Sequence, residues 1–458
     1  MSRHTQGRGP GGLSVRRGDD GYEDIRRAVV WNALTPARFP DVIVRAASAG
    51  DVVEAVRLAR SEGLRVAVRS GGHSWCGSPL RDGGMLIDVS GLRACAVDPA
   101  SGTATVQPGV TGRQLISRLG GHRLAFPAGH CGSVAVGGYL LSGGLGWNSG
   151  ARGPACAGVE RIEAVTADGE AVTCGGSEHA DLFWAARGAG PGFFAAVTAF
   201  HLKPYPRPGA IACSRWTFPL AAVTEATHWA TELAPGLSPS VELGFALAAA
   251  APGTEPGPRV VTVTGTAFAS SRREAEEFLR PLHRCPLGGR SLSRRLDEPT
   301  TYEALYASSD ALWPPRLRYA ADTLWSDAGF PALLSRLAKA LDSASSGRSL
   351  VIAPVSPVGR PTQDMAFSAL GESYAVPYAV WDDPGQDAAN TGWLREAMHR
   401  VEPLGTGHYI AETDLTAAPS RARRSFTPDA WQRLRALRAR YDPEGLFHSY
   451  LSPDDDTP

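Results

Sequence analysis

"RSGGHSWCG", residues 69–77, ends an apolar run, "LRVAV" (64–68), with two glycines followed by a histidine and a tryptophan. A strand that opens into a Gly-Gly loop brings bare backbone, and the side chains beside it, close to whatever lies at the end of its sheet. A second island, "FPAGHCGSVAVGGYLLSGGLGWNSG" (126–150), places Cys131 in similar surroundings. Runs of glycine let a chain approach a large planar or phosphorylated ligand, and successive N–H groups form concavities that hold anions. Ser70, Gly71, Gly72 and Ser74 could cradle a pyrophosphate. Gly129, Gly137, Gly138, Gly143, Gly144 and Gly146 offer a long surface of close approach. Either island alone is weak evidence, and no Gly-x-Gly-x-x-Gly follows an early strand, so an ordinary Rossmann unit is excluded.

Around the islands, strand and helix patterns alternate. "DVIVRAAS" (41–48) is apolar and β-branched. Ser48 then reads as a helix N-cap with Asp51 in the first turn and Val52, Val56 and Ala59 on one face, stopped by Gly63. "GMLIDVSGL" and "GTATVQPG" read as strands, and "TGRQLISRLGG" as a short capped helix. "VERIEAVTADGEAVTC" (159–174) reads as a hairpin about Asp168-Gly169. After a helical "HADLFWAARGAG" comes the strand "FFAAVTAFHLKPY", which carries Val197. Composition shifts at "PYPRPG" (204–209). Beyond it, strand-like runs ("VVTVTGTAF", "SLVIAPV", "SYAVPYAVW") alternate with helical ones ("SRREAEEFLRPLH", "FPALLSRLAKALDSA"), the pattern of an antiparallel sheet backed by helices. A last helix opens with Thr427 as N-cap and Pro428 in first position and closes at Asp442-Pro443.

The bulk numbers restrict the function. At 458 residues, 43% hydrophobic and 20% charged, the chain is long enough for two domains with full cores. Lys+Arg and Asp+Glu are 46 each, so no net field draws nucleic acid or an anionic membrane. No run approaches the ~20 apolar residues of a membrane span. Arg16-Arg17 lacks the apolar segment that an export signal needs. The seven cysteines show no paired or metal-ligand spacing, so neither a disulfide framework nor a metal is expected. The expected location is a reducing cytoplasm.

Read in order, "WNALTPARFPDVIV", "VAVRSGGHSWCG", "MLIDVSGL", "VQPG", "PAGHCGSVAVGGYLLSGGLG", "VTADG", "DLFWAARGAGPGFFAAVTAF" and "YDPEGLF" resemble the berberine-bridge-enzyme-like branch of the FAD-linked oxidases, which have the vanillyl-alcohol oxidase / p-cresol methylhydroxylase (PCMH) fold. The resemblance spans almost the whole chain. It implies an α+β protein of two domains. Residues 1–205, with 1–22 flexible, bind FAD; residues 206–419 form a substrate domain; and 420–458 return to the FAD-binding domain. It also implies that His73 bonds the 8α-methyl carbon of the isoalloxazine and Cys131 bonds C6, giving bicovalent FAD. Neutral imidazole is a competent nucleophile at cellular pH, and a nest of loop amides can favour the thiolate. Arg69, Val134, Tyr139, Val197 and Tyr450 fall on positions near the cofactor. A valine at 134 resembles the form permissive for oxygen, although an ordinary packing valine is the other reading. Tyr139 stands where some relatives have a histidine.

In relatives the catalytic base often lies in a Tyr-x-Asn-Tyr motif followed by Asp. Here the segment is "HYIAETDL" (408–415), with Ala411 for the asparagine and Glu412 for the second tyrosine. A carboxylate desolvated beside an apolar ring can serve as base. Glu412 could instead be an exposed strand glutamate or a partner of Arg421. Tyr374 and Tyr378, four apart in a strand, share a face and are candidates to assist proton transfer, with sheet packing as the alternative. The expected activity is hydride transfer from a small molecule (an alcohol, sugar or secondary metabolite) to flavin, with O2 reoxidation to H2O2. A flavin dehydrogenase, an oxidative cyclase of natural-product biosynthesis and a flavin-binding protein without turnover are the alternatives. Neither the substrate nor the oligomeric state is legible.

Overall fold

The computed structural model describes residues 8–9, 12–250, 258–355 and 363–451. Two hydrophobic cores organise it. The first gathers side chains from Val42 to Leu202 and again from Ile410 to Tyr450; the second lies within Ala212–Val401.

The first core holds two five-stranded sheets. In one, Val42–Arg45 and Val66–Arg69 flank Met85–Asp88 in parallel, with Gly12–Arg16 antiparallel beside Val42–Arg45 and the short Arg8–Gly9 at the edge. The crossover helix Ala49–Glu62 is specified locally. Ser48 accepts from the Asp51 N–H while Asp51 accepts from the Ser48 N–H, and Gly63 ends the helix at φ 67°. Part of the opening stretch is a strand: residues 13–16 pair in register with Val42–Arg45, and Arg16 reaches Glu62 at 3.0 Å. Residues 1–7 and 10–11, like the acidic tail at 454–456, lie outside the described residues. The other sheet runs Ala171–Gly175, Val159–Val165, Ala196–Leu202, Thr103–Val106, Cys95–Asp98, all antiparallel. The chain's end comes back to the first sheet: Val66 donates to Leu446 O at 2.7 Å and His448 donates to Val66 O at 2.8 Å.

The second core lies under a nine-stranded antiparallel sheet. Alternation along its strands assigns two faces. Leu243, Phe245, Val263, Ala353 and Trp381 pack on the helices Val223–Leu233, Phe330–Asp342 and Asp387–Val401. Glu242, Gly244, Thr264, Thr266, Tyr374 and Tyr378 face the other way, toward the glycine islands. No described helix is long and apolar enough to cross a membrane.

Candidate active site

Between that inward sheet face and the two islands lies a cavity of about 560 Å3. The islands form its floor by interlocking. Gly138 N–H donates to Ser70 Oγ at 3.1 Å. A Cβ on Gly71 would stand 2.7 Å from Ala135 Cβ, and one on Gly137 would stand 2.8 Å from Pro108 Cβ. Gly72, at φ +70°, lies against Val29 O. Arg69 braces the loop from behind, donating to Val29 O at 2.9 Å and pairing with buried Asp88 at 2.9 Å. Ser74 Oγ accepts from the Ser78 N–H at 3.1 Å and closes its own turn.

His73 and Cys131 both line this cavity. The His73 ring stacks on Trp31, with centroids 4.8 Å apart. Burial and then the nearby Arg69 charge pull its pKa down to about 4, so the imidazole is neutral with a lone pair available. The Cys131 thiol lies 3.2 Å from the Ser133 hydroxyl. Gly129 and Gly146 form a bridge, and Val134, Tyr139 and Val197 complete this part of the wall. The Tyr139 hydroxyl donates to Pro127 O at 2.7 Å, so it supports the island's backbone. Three expected cofactor contacts are absent from the cavity wall. Gly143 and Gly144 make room for the rings of Phe367 and Tyr139, which a Cβ would meet at 2.2 and 2.8 Å. Tyr450 covers Gly192 and donates to Ala189 O at 2.9 Å; its neighbours Phe447 and His448 reach the cavity instead.

At the other wall, Tyr374 donates to Glu412 Oε2 at 2.6 Å and Tyr378 donates to Oε1 at 3.1 Å. Burial, then the Glu412 charge, raises both phenols well above their usual range, so each stays protonated and acts as a donor. The expected strand at 408–415 is a turn, in which Glu412 N and Thr413 N both bond Tyr409 O. Arg421 does not pair with Glu412. It pairs with Asp322 at 3.0 Å, and Asp322 accepts from Thr413 Oγ1 at 2.8 Å and Asp414 N at 3.1 Å, fixing the turn from behind.

The sequence reading missed a third polar group. His130, beside Cys131, reaches across to Glu242 of the cover sheet (Nε2 to Oε1, 2.6 Å). Glu242 Oε2 also accepts from the Asn148 N–H at 3.2 Å. Burial works against charge on His130, but the charge and hydrogen bond of Glu242, with Glu412 beyond, outweigh it and raise its pKa. A lone carboxylate on the inward parity of "VELGFALAAA" was the available signal.

Comparison with known proteins decides the family. Residues 40–175 match the family model described as "FAD binding domain". The FAD-linked oxidoreductase janO of Penicillium janthinellum is 31% identical over 434 residues, 93% of this chain and 94% of that protein. The chain belongs to the FAD-linked oxidoreductases. The (R)-6-hydroxynicotine oxidase of Paenarthrobacter nicotinovorans is 28% identical, with 94% of each chain covered. Among solved structures, 6-hydroxy-D-nicotine oxidase from Arthrobacter nicotinovorans superposes with a TM-score of 0.83 at 22% identity, over 96% of this chain and 97% of that one. Physcomitrella patens BBE-like 1 superposes at 0.81 and 19%, over 96% of each. The fold is therefore the two-domain PCMH-type fold of the berberine-bridge-enzyme-like proteins.

The residues present suit the cofactor of an FAD-linked oxidoreductase. The cavity runs from Phe447 and His448 past both islands to the cover sheet, and its size is in the range of sites for large ligands. Gly138 presents open backbone, since an added Cβ would meet only Ser70 Oγ at 3.9 Å. His73 and Cys131 supply a neutral imidazole and a thiol to the same cavity.

Proposed function

We propose that this FAD-linked oxidoreductase is an oxidase acting on the C–H of a small-molecule alcohol, and that it holds FAD through both His73 and Cys131. In this reading residues 1–205 with 420–458 hold the cofactor and 206–419 cover it. FAD, when bound, supplies the hydride acceptor and passes the electrons to O2, giving H2O2. The chain's own residues do the rest. Glu412 takes the proton from the substrate O–H, because it is the carboxylate that both tyrosines hold at this wall. Tyr374 and Tyr378 stay protonated and grip its oxygens, which fixes the carboxylate against rotation and leaves its remaining lone pairs for the substrate. The Trp31, Trp75 and Trp313 rings line the cavity and keep water from the reacting carbon.

The observation that carries the reading is the doubly hydrogen-bonded Glu412 in the same cavity as His73 and Cys131. The test is a panel of alcohols, sugars and hydroxylated secondary metabolites supplied to the yellow protein, with O2 consumption and H2O2 followed together. Equimolar O2 uptake and peroxide release supports it. Turnover with an artificial acceptor and none with O2 removes the oxidase assignment.

A further inference from the structure

The inward face of the cover sheet is polarised. At one side stand Tyr374, Tyr378 and Glu412, a carboxylate with no ion pair among the described residues. Toward the opposite edge, strand register sets Arg215 beside Thr264, with Cys213 and Glu242 flanking Thr266. All of these line the cavity. Hydrogen-bond donors collect at this second end. Arg215 makes no hydrogen bond or ion pair among the described residues, and the hydroxyls of Thr264 and of Ser309, from helix Tyr302–Leu312, make no hydrogen bond there either. His130 uses Nε2 on Glu242, makes no hydrogen bond at Nδ1 among the described residues, and keeps 39% of its side-chain surface open on the cavity wall.

Among the described residues the carboxylates nearby are paired with other cations. His130 pairs with Glu242 at 2.6 Å, and Arg295, the cross-strand neighbour of Arg215, pairs with Glu298 at 3.0 Å. Glu303 and Asp310 of the adjoining helix both turn to Arg113, at 3.6 and 2.6 Å. Arg215 has no ion-pair partner of its own among the described residues. Between the two ends the floor is apolar, made by Gly244, Ile352, Pro354 and Val376. The strands of Glu242, Thr264 and Arg215 lie two, three and four steps from that of Tyr374, roughly 10–19 Å at ~4.8 Å per step.

We propose that this donor-rich end binds a carboxylate carried by the substrate, roughly 10–19 Å from the carbon that is oxidised. The substrates are then hydroxy acids with an apolar middle. A carboxylate can accept from the Arg215 fork, the two hydroxyls and, when the ring is protonated, His130 Nδ1–H, while the carbinol end meets Glu412. The inference rests on the proposed oxidase function for the identity of the Glu412 end; the donor cluster stands on different residues.

The test is titration calorimetry of the flavin-loaded protein with two probes of one shape, 6-phenylhexanoate and 6-phenylhexanamide. The acid is expected to bind about tenfold more tightly than the amide, the worth of one charge-assisted contact in a partly open site. Arg215→Gln and His130→Gln are each expected to bring the acid's affinity toward that of the amide while moving the amide's by less than about twofold. Equal binding of the two probes, no binding of either at millimolar concentration, or an acid preference that survives both substitutions overturns the inference. Flavin content and peroxide release are read on the same samples. A protein that is yellow and makes peroxide yet shows no acid preference refutes the carboxylate site alone; one without flavin refutes the proposed function.

Discussion

Gly71→Ala attacks the joint between the two islands. The added Cβ would lie 2.7 Å from Ala135 Cβ and 2.9 Å from Ala135 N, about 1 Å inside normal carbon contact. Both neighbours are backbone or a Cβ, so no side chain can swing away and the loops must part. Forced overpacking of this kind costs about 1–3 kcal/mol. Separation also strains the Gly138 N–H to Ser70 Oγ bond at 3.1 Å, worth about 1 kcal/mol. The sum is about 2–4 kcal/mol. For a cooperative unit of roughly 250 residues, at ~2.1 cal/mol/K per residue, that lowers the melting temperature by about 4–8 °C. Differential scanning calorimetry measures the shift, and absorbance of the acid-precipitated protein measures retained flavin, which should fall as the anchors separate. Gly392→Ala, on the exposed side of helix Asp387–Val401 and away from the cavity, is the control. Its Cβ meets nothing within 4 Å, so its melting temperature should hold or rise with the gain in helix propensity, and its flavin content should not change. A Gly71→Ala protein that melts within 1 °C of the parent (about 0.5 kcal/mol) and keeps all its flavin refutes the reasoning.

Glu412→Gln keeps both tyrosine contacts, because an amide can accept from one hydroxyl and donate to the other; the flavin should stay bound and its anaerobic reduction by substrate should slow at least ~100-fold. Near-normal reduction removes Glu412 as the base. Asp322→Asn leaves Arg421 short of its buried counter-charge and loosens the turn that holds Glu412, so kcat should fall with KM little changed; equal changes in both would show that substrate binding, not base placement, was lost. In flavin-free protein His73 has a folded pKa of about 4 against about 6.5 unfolded, so its contribution is present above pH 6.5 and lost as pH falls toward 4. Urea melts at pH 7 and 4 should therefore show about 3 kcal/mol more acid destabilisation in the parent than in His73→Ala; matching losses would mean that the imidazole titrates normally.

Local chemistry was legible where its partners are near in sequence. The Ser48 N-cap with Asp51 in the first turn, the Gly63 stop, the hairpin about Gly169 and the Thr427-Pro428 start all stand as read. Tyr374 and Tyr378 were placed on one face by their spacing, although "SYAVPYAVW" is buried at every position and so carries no alternation of its own. What escaped depends on distant partners. Gly12–Arg16 looks like a polar tail until Val42–Arg45 pairs with it. "HYIAETDL" has strand-like composition, but Asp322, some ninety residues earlier, bends it into a turn. His130 is one histidine beside a cysteine until Glu242, 112 residues on, meets it. Gly143 and Gly144 share the island's composition while serving Phe367 and Tyr139, a distinction that packing alone makes.

The central claim is that His73 and Cys131, which line one cavity, grip the same flavin. Denaturing precipitation, proteolysis and mass spectrometry of the yellow fragments measure it directly. The expected species is a single FAD cross-linking the peptide of His73 to the peptide of Cys131, separated into a singly attached pair by Cys131→Ser. A colourless pellet, or FAD on one peptide alone in the unsubstituted protein, contradicts it.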